Sequence, residues 1–291
     1  MTTTAGVISP VDAAVDLART LGASVSDTVV LRHGSNVSVL LRPAMLVAKV
    51  AWQRRGFRRT PDWFAREVAV AGHLRRAGVP AVRPATAIPP GPHRHRGHLV
   101  TFWDHITVTD DPVDPTTTGR CLRACHRALA DHVWAHPPFD PCAECDRVLA
   151  RTPSRQFLAG ERALLESLAG PLFDVVRTWD RPAQALHGDP APWNMLRSGA
   201  DHVWCDFEDT YVGATWWDLA CLTAPATVAQ DRYFHDRAVA GYGVEPTDPT
   251  LAAFEAARVM HSAIWSAFVN NPGPSPTRLR RLAWLERRAG R

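Results

Sequence analysis

Apolar residues recur at helical spacing from Val11 to Leu21 and stop at Gly22, which predicts a short leading helix. The pattern then changes. Val29 to Leu41 and Met45 to Trp52 are rich in valine and leucine, with Gly34, Ser35 and Asn36 interrupting the first run; together they read as strand, tight loop, strand, turn, strand. Thr60, Pro61 and Asp62 open another helix, since proline suits a first turn, and Ala77 and Gly78 close it before Val79 and Pro80. His98 to Trp103 reads as a buried strand, and the Pro, Gly and His-rich stretch from Pro89 to Gly97 as a surface turn.

Asp, Pro and Thr crowd Thr107 to Thr118, after which helical patterning dominates, at about 119–135, 158–170, 215–240, 250–270 and 276–289. One segment departs from it. Gln184 to Leu196 reads as a loop, leading into two short strands joined through Ser198 and Gly199, the second running toward Glu208. The chain thus divides into a small β-rich lobe at 1–105 and a larger helical lobe at 106–291, with the boundary near 103–110 and no internal repeat.

Composition narrows the class. With 291 residues, 46% hydrophobic and 21% charged, the chain has the makings of a globular core, which excludes disorder and fibrous repeats. No run of about 18 apolar residues occurs, and Met1 to Gly6 lacks the basic and apolar regions of a signal peptide, so a cytoplasmic protein with no membrane partner is expected. The net charge of +4 comes from scattered arginines without a basic arm, so no nucleic-acid partner is expected either. Six cysteines in a chain of this length fit reduced thiols. Cys121, Cys125, Cys142 and Cys145, with His126, His132 and His136, have the ligand types of a zinc site, whereas Leu122 to Leu129 reads as an amphipathic helix in which Cys125 is a small core residue. The glycine-rich phosphate loop ending in lysine, the zinc-protease motif and the serine nucleophile elbow are all absent, and Gly241-Tyr-Gly243 has Pro246 where a dinucleotide fingerprint needs glycine.

Of 33 basic residues a single one, Lys49, is lysine. A solvated cation can be either residue, so a lone lysine is expected where a compact ammonium is wanted and the planar guanidinium would not fit.

The strongest chemical signal is His187-Gly188-Asp189, with Asn194 five residues after the aspartate and Asp206 twelve further on. A carboxylate that accepts a hydroxyl proton needs neighbours that hold the divalent metal of a nucleotide, and the oxygens of Asn and Asp suit magnesium. Here the sequence resembles the aminoglycoside phosphotransferase and choline kinase-like family, which shares the protein kinase architecture. His187 to Asn194 is similar to that family's catalytic loop, and Asp206-Phe-Glu208 with Trp217-Asp-Leu-Ala220 to its metal-binding segment and following helix. The resemblance spans nearly the whole chain and implies an α+β, bilobal protein kinase-like fold.

It further implies that Asp189 is the catalytic base and that Asn194 and Asp206 bind magnesium, with Glu208 either completing the metal site or supporting the loop. Lys49 on its strand corresponds to the residue that contacts the α and β phosphates, paired with Glu67 on the next helix. Gly34, Ser35 and Asn36 resemble a nucleotide loop, Gly34 giving the turn while backbone amides approach the β phosphate. Adenine is expected near Phe102 to Ile106. His187 is expected to position the loop, and Asp218 to cap a helix or brace the loop.

The implied function is ATP-dependent transfer of the γ-phosphate, or that of another nucleoside triphosphate, with Mg2+, to a hydroxyl of a small molecule. Amino-sugars, antibiotics, nucleosides and choline-like amines are the candidate acceptors, and antibiotic resistance is one setting for them. The alternative is a non-catalytic kinase-fold nucleotide-binding protein. Phosphorylation of proteins is disfavoured by the lack of a recognisable activation segment between Asp206 and Asp218. Residues 276–291 carry six arginines against Glu286, which lowers a polycationic acceptor. Trp193, Trp216, Trp217 and Trp265 could wall an acceptor site, core packing being the commoner use. The last helix, with Arg280, Arg281, Arg287 and Arg288, could face an anionic substrate or a membrane, a solvated amphipathic face being the commoner use.

Overall fold

The computed structural model describes residues 8–34, 36–51, 61–132, 140–269 and 274–290. Ser35 of the expected nucleotide loop and His136 of the cysteine and histidine cluster lie outside them. The chain forms two units, Met1–Asp110 with Leu196–Asp209, and Asp111–Met195 with Thr210–Arg291. The sequence reading cuts the chain once, at 105/106; in the structure the segment 196–209 belongs with the first unit.

In the first unit, helix α1 (Pro10–Thr20) begins with the Ser9 hydroxyl accepting from the Asp12 amide at 3.1 Å. Strands β1 (Val25–His33), β2 (Asn36–Pro43) and β3 (Leu46–Ala51) precede helix α2 (Pro61–Arg76). Strands β4 (His93–His95) and β5 (His98–Asp104) complete an antiparallel sheet in the order β1-β2-β3-β5-β4. Successive strand residues face opposite ways. Ala48 and Val50 therefore enter the core with Val37, Val39, Val100 and the Leu17 face of α1. Lys49 points to the other side, with Ser38 and Thr101 as its neighbours in register.

Pro89 to Gly97 is not merely the surface turn its composition suggested. His93, Arg94 and His95 pair with Val100, Leu99 and His98, and the chain reverses at Arg96 and Gly97, both at positive φ. Short strands Met195–Ser198 and Asp201–Trp204 form the expected hairpin. Trp204 explains why this segment joins the first unit: its carbonyl accepts from Val82 at 2.8 Å and its amide donates to Pro80 at 3.1 Å.

The second unit is mostly helical. Helix α3 (Pro115–Leu129) starts earlier than its apolar pattern suggested, because Asp114 caps it by accepting from the Thr117 amide at 2.7 Å and Pro115 fits the first turn. Helix α4 (Pro141–Arg151) was not anticipated; Asp140 caps it through the Cys142 and Ala143 amides. Helix α5 (Glu161–Arg177) continues through Pro171, past the expected end, and keeps Phe173 fully buried. The helix expected at 215–240 is two, α6 (Thr215–Ala229) and α7 (Arg232–Tyr242), because Gln230 turns left-handed at φ 60 and Asp231 caps a new start. Helices α8 (Pro249–Val269) and α9 (Pro276–Arg288) close the unit. The last is not simply a solvated face, since Arg278 is fully buried on Glu161 and on the Gln156 carbonyl.

Cys121 and Cys125 lie on α3, Cys142 and Cys145 on α4, all as free thiols. Burial pushes the Cys142 thiol up to about 12, the opposite of what a thiolate ligand needs. Among the described residues, no three His, Cys, Asp or Glu side chains gather to hold a metal ion. None of the described helices is long and apolar enough to cross a membrane.

Helices α3 and α7 meet through glycine. A Cβ on Gly119 would lie 2.0 Å from the Ala238 carbonyl oxygen, and one on Gly241 would lie 2.2 Å from that of Thr116. Because both obstacles are backbone, a single added methyl must separate the helices. Gly119→Ala is expected to lower unfolding free energy by about 2–3 kcal/mol, measured by urea denaturation followed by tryptophan fluorescence.

Candidate active site

The first unit builds its site around one ammonium. Lys49 Nζ donates to both carboxylate oxygens of Glu67, at 2.9 and 3.0 Å, and to Asp206 Oδ1 at 2.8 Å; it also lies 3.0 Å from Glu208 Oε2. The donors of an ammonium spread around a point, so one lysine serves three carboxylates where a planar guanidinium would have to choose. Each partner comes from a different element. Glu67 projects from α2, one turn from Phe64, whose ring centroid lies 6.0 Å from Nζ. Asp206 follows the hairpin, with its backbone at φ 68, and Glu208 sits in the 3-10 turn Phe207–Asp209. Aspartate tolerates this left-handed conformation better than most residues, and here it turns the chain between the hairpin and the 3-10 turn.

Electrostatics follow from the count of charges. Burial pulls the Lys49 ammonium toward neutrality, but Asp206, Glu208 and Glu67 outweigh it and hold its pKa well above the ordinary value. Three carboxylates around one cation leave negative charge in excess. Glu67, only 2% exposed, feels this most: burial pushes it up, Lys49 pulls it down, Asp206 and Glu208 push again, and it settles at about 7. A hard divalent cation such as magnesium matches both the excess charge and the oxygen donors Asp206 and Glu208.

Asn36 joins this group directly, its Nδ2 donating to Glu208 Oε2 at 3.0 Å. Gly34 stands at the β1–β2 turn, where its amide donates to the Asn36 carbonyl at 3.0 Å. The turn does not draw on glycine's special freedom. No positive φ occurs at Gly34, and an added Cβ would meet nothing within 4 Å.

The second unit builds its site around a buried carboxylate. Asp218, fully buried near the start of α6, accepts from the His187 amide at 2.8 Å, the Gly188 amide at 2.9 Å and His126 Nε2 at 2.9 Å. This is the loop brace that its position suggested. Trp217 Nε1 grips the same loop from the other side by donating to the Gly188 carbonyl at 2.9 Å. Gly188 has φ 91, so a side chain there would be strained.

Beyond the glycine, Asp189 faces two partners. Arg258 Nη2 donates to Asp189 Oδ1, and Asn194 Nδ2 donates to the Asp189 carbonyl at 2.9 Å and to Oδ2 at 3.2 Å. The amide donors of Asn194 are thereby spent on the loop, and its oxygen is the end suited to a cation. His187, fully buried, keeps its ring behind the loop, where Nδ1 accepts from the Asp189 amide at 3.4 Å.

The structure thus gathers Lys49, Glu67, Asn36, Asp206 and Glu208 in one unit and Asp189 and Asn194 in the other. Sequence reasoning missed Arg258, His126 and the grip of Trp217. Arg258 did leave a signal: it is the one cation between Leu251 and Val259, a stretch that is otherwise apolar except for Glu255.

An antiparallel sheet with its lysine in one unit and a braced His-Gly-Asp loop in a helical second unit define an α+β kinase-like fold. The solved structures agree. A choline/ethanolamine kinase family protein from Mesorhizobium loti superposes with a TM-score of 0.63 at 20% identity, covering 94% of each chain. An amicoumacin kinase, hAmiN, reaches 0.74 at 12% identity over 94% of this chain and 91% of its own. The choline kinase LicA from Streptococcus pneumoniae gives 0.65 at 13% identity over 94% and 95%. No curated protein matches the chain by sequence. The family model of the APH phosphotransferase enzyme family matches residues 18–256, and the chain belongs to that family.

The proton on Glu67 gives a signed test. The folded protein holds it up to about 7, whereas the unfolded chain releases it near the ordinary 4.5. Between these values the folded state binds more protons, so stability falls as pH rises. Ligand-free protein is expected to lose on the order of 3 kcal/mol between about pH 4.5 and 7, and Glu67→Gln to flatten that slope, in urea titrations across the range.

Proposed function

We propose that the chain transfers the γ-phosphoryl group of ATP, or of another nucleoside triphosphate, to a hydroxyl of a small molecule. The observation that carries this reading is the Lys49 ammonium held by Glu67, Asp206 and Glu208, an arrangement that fixes a phosphate-binding cation beside oxygen donors for its metal. The amicoumacin kinase structure, with AMP-PNP and Ca2+, supports a nucleotide and a divalent cation as the natural occupants.

Asp189 is the base. It orients the acceptor hydroxyl and takes its proton as the acceptor oxygen bonds to the γ-phosphorus and the bond to the leaving nucleoside diphosphate breaks in line. Asn194, Asp206 and Glu208 are the residues that would hold magnesium, which supplies charge neutralisation on the triphosphate. With Asp206 and Glu208 engaged by a metal, Lys49 would keep Glu67 and have donors left for the α and β phosphates. Gly34, Ser35 and Asn36 are the residues assigned to the loop that approaches the β phosphate. A cytoplasmic setting is consistent with a nucleoside triphosphate donor.

The runner-up is a kinase-fold protein that binds nucleotide without transfer. It draws on the pairing of Asp189 with Arg258, which engages one oxygen of the proposed base.

Two variants test the assignment. Asp189→Ala is expected to lower turnover about 10^3-fold, measured as ADP release across a broad acceptor panel, with nucleotide affinity retained. Magnesium-dependent nucleotide binding with no transfer to any acceptor favours the runner-up. Lys49→Arg, which puts there the cation this chain carries at its other basic positions, is expected to cost about 10–100-fold in kcat/KM for ATP, because the wider planar fork cannot serve Glu67 and the phosphates from one point.

A further inference from the structure

The second unit contains a pocket of about 100 Å³ that is linked to Asp189 through Arg258. Arg258, Arg280 and Arg281 line it together with the apolar surfaces of Trp193, Pro225 and Val259, and no Asp or Glu is among its lining residues. Arg258 is the link to the loop, because its Nη2 donates to Asp189 Oδ1.

The charges here do not balance. Asp189 pairs with Arg258, while among the described residues Arg281 donates to neutral acceptors, Ser266 Oγ at 2.8 Å and the Ser262 carbonyl at 3.4 Å, with Asp189 acting on it at longer range. Arg280 is exposed and has no ion-pair partner among the described residues. The imbalance registers on Arg281, which burial and then the charge of Arg258 push down to about 10. Guanidinium groups lining a small walled space are matched by a carboxylate or a phosphate, to which a guanidinium can donate two parallel hydrogen bonds. A cationic amine would meet net repulsion in the same place.

We infer that the acceptor carries an anionic group, a carboxylate or a phosphate ester, seated on Arg280 and Arg281, with its carbon skeleton against Trp193, Pro225 and Val259 and its hydroxyl toward Asp189. This rests on the phosphotransferase reading for the identity of the ligand as acceptor, while the anion site itself stands on the pocket. Within this chain, the arginine-rich C-terminal helix thereby becomes part of acceptor recognition.

Calorimetric titration separates the possibilities, using the full chain and four small probes: glycerol 3-phosphate, glycerate, glycerol and choline. The two anions are expected to bind wild type, and glycerol and choline to bind at least about tenfold more weakly. Whichever anion binds more tightly identifies the charged group. Arg280→Glu, at an exposed position that leaves the fold intact, is expected to weaken anion binding at least about tenfold, and Lys49→Ala to leave it unchanged. Three results would overturn the inference: no binding of either anion, anion binding unaffected by Arg280→Glu, or a preference for choline. Loss of anion binding in Lys49→Ala alone would assign the signal to the nucleotide residues and also overturn it. Because the readout is binding, failure of the phosphotransferase reading would appear separately, as an anion-binding pocket in a chain that releases no ADP.

Discussion

One buried ammonium facing three carboxylates is the constraint from which the first unit takes its form. Lys49 is 9% exposed, and a charge so placed is tolerable only if its partners reach it together. That requires β3 in the middle of the sheet, α2 close enough for Glu67, and a hairpin returning from much later in the chain to deliver Asp206 and Glu208. The backbone pairing of Trp204 with Pro80 and Val82 secures that return. Removing any one carboxylate would still leave the ammonium paired, but the excess negative charge that invites a divalent cation would shrink.

The second unit uses the inverse device. Its central buried charge is the Asp218 carboxylate, stabilised by two backbone amides and His126. Those amides belong to His187 and Gly188, so satisfying the buried carboxylate also fixes the direction in which the chain leaves toward Asp189. A left-handed Gly188 completes the turn, and Arg258 and Asn194 then set the carboxylate's orientation. Position is thus passed from a buried anion, through backbone, to the residue assigned the chemistry.

Much of this was legible in the sequence because the relevant information is local. The valine-rich run placed Lys49 on a strand, and the spacing of Asp189, Asn194 and Asp206 singled those residues out before any contact was visible. What was not legible depends on capping, on conformation or on distance along the chain. Helix α4 follows from Asp140 and Pro141 rather than from strong periodicity, and the break at Gln230 follows from a left-handed residue that is not glycine. Gly34 misled in the other direction, since its turn needs no glycine geometry. Arg258 reaches Asp189 across 69 positions, and no pattern within a single helix reveals such a partner.

The composition adds a last step. In a chain with 33 basic residues and one lysine, most arginines carry little information, because a solvated cation costs nothing to exchange. Burial restores the information. Arg278 is fully enclosed yet paired with Glu161, so its charge is already spent on holding α9 to α5. Arg281, on the same helix, is half-buried and, among the described residues, donates to the neutral oxygens of Ser262 and Ser266, while Arg258 beside it donates to Asp189. A paired buried arginine explains itself within the fold, whereas arginines that line a pocket free of carboxylates retain affinity for something outside it. The same reasoning applies with opposite sign to Glu67, Asp206 and Glu208 around Lys49. Each unit therefore keeps a charge imbalance of its own, negative where a metal nucleotide would bind and positive where an acceptor would, and each is a cost the empty protein bears until a ligand of the opposite charge arrives.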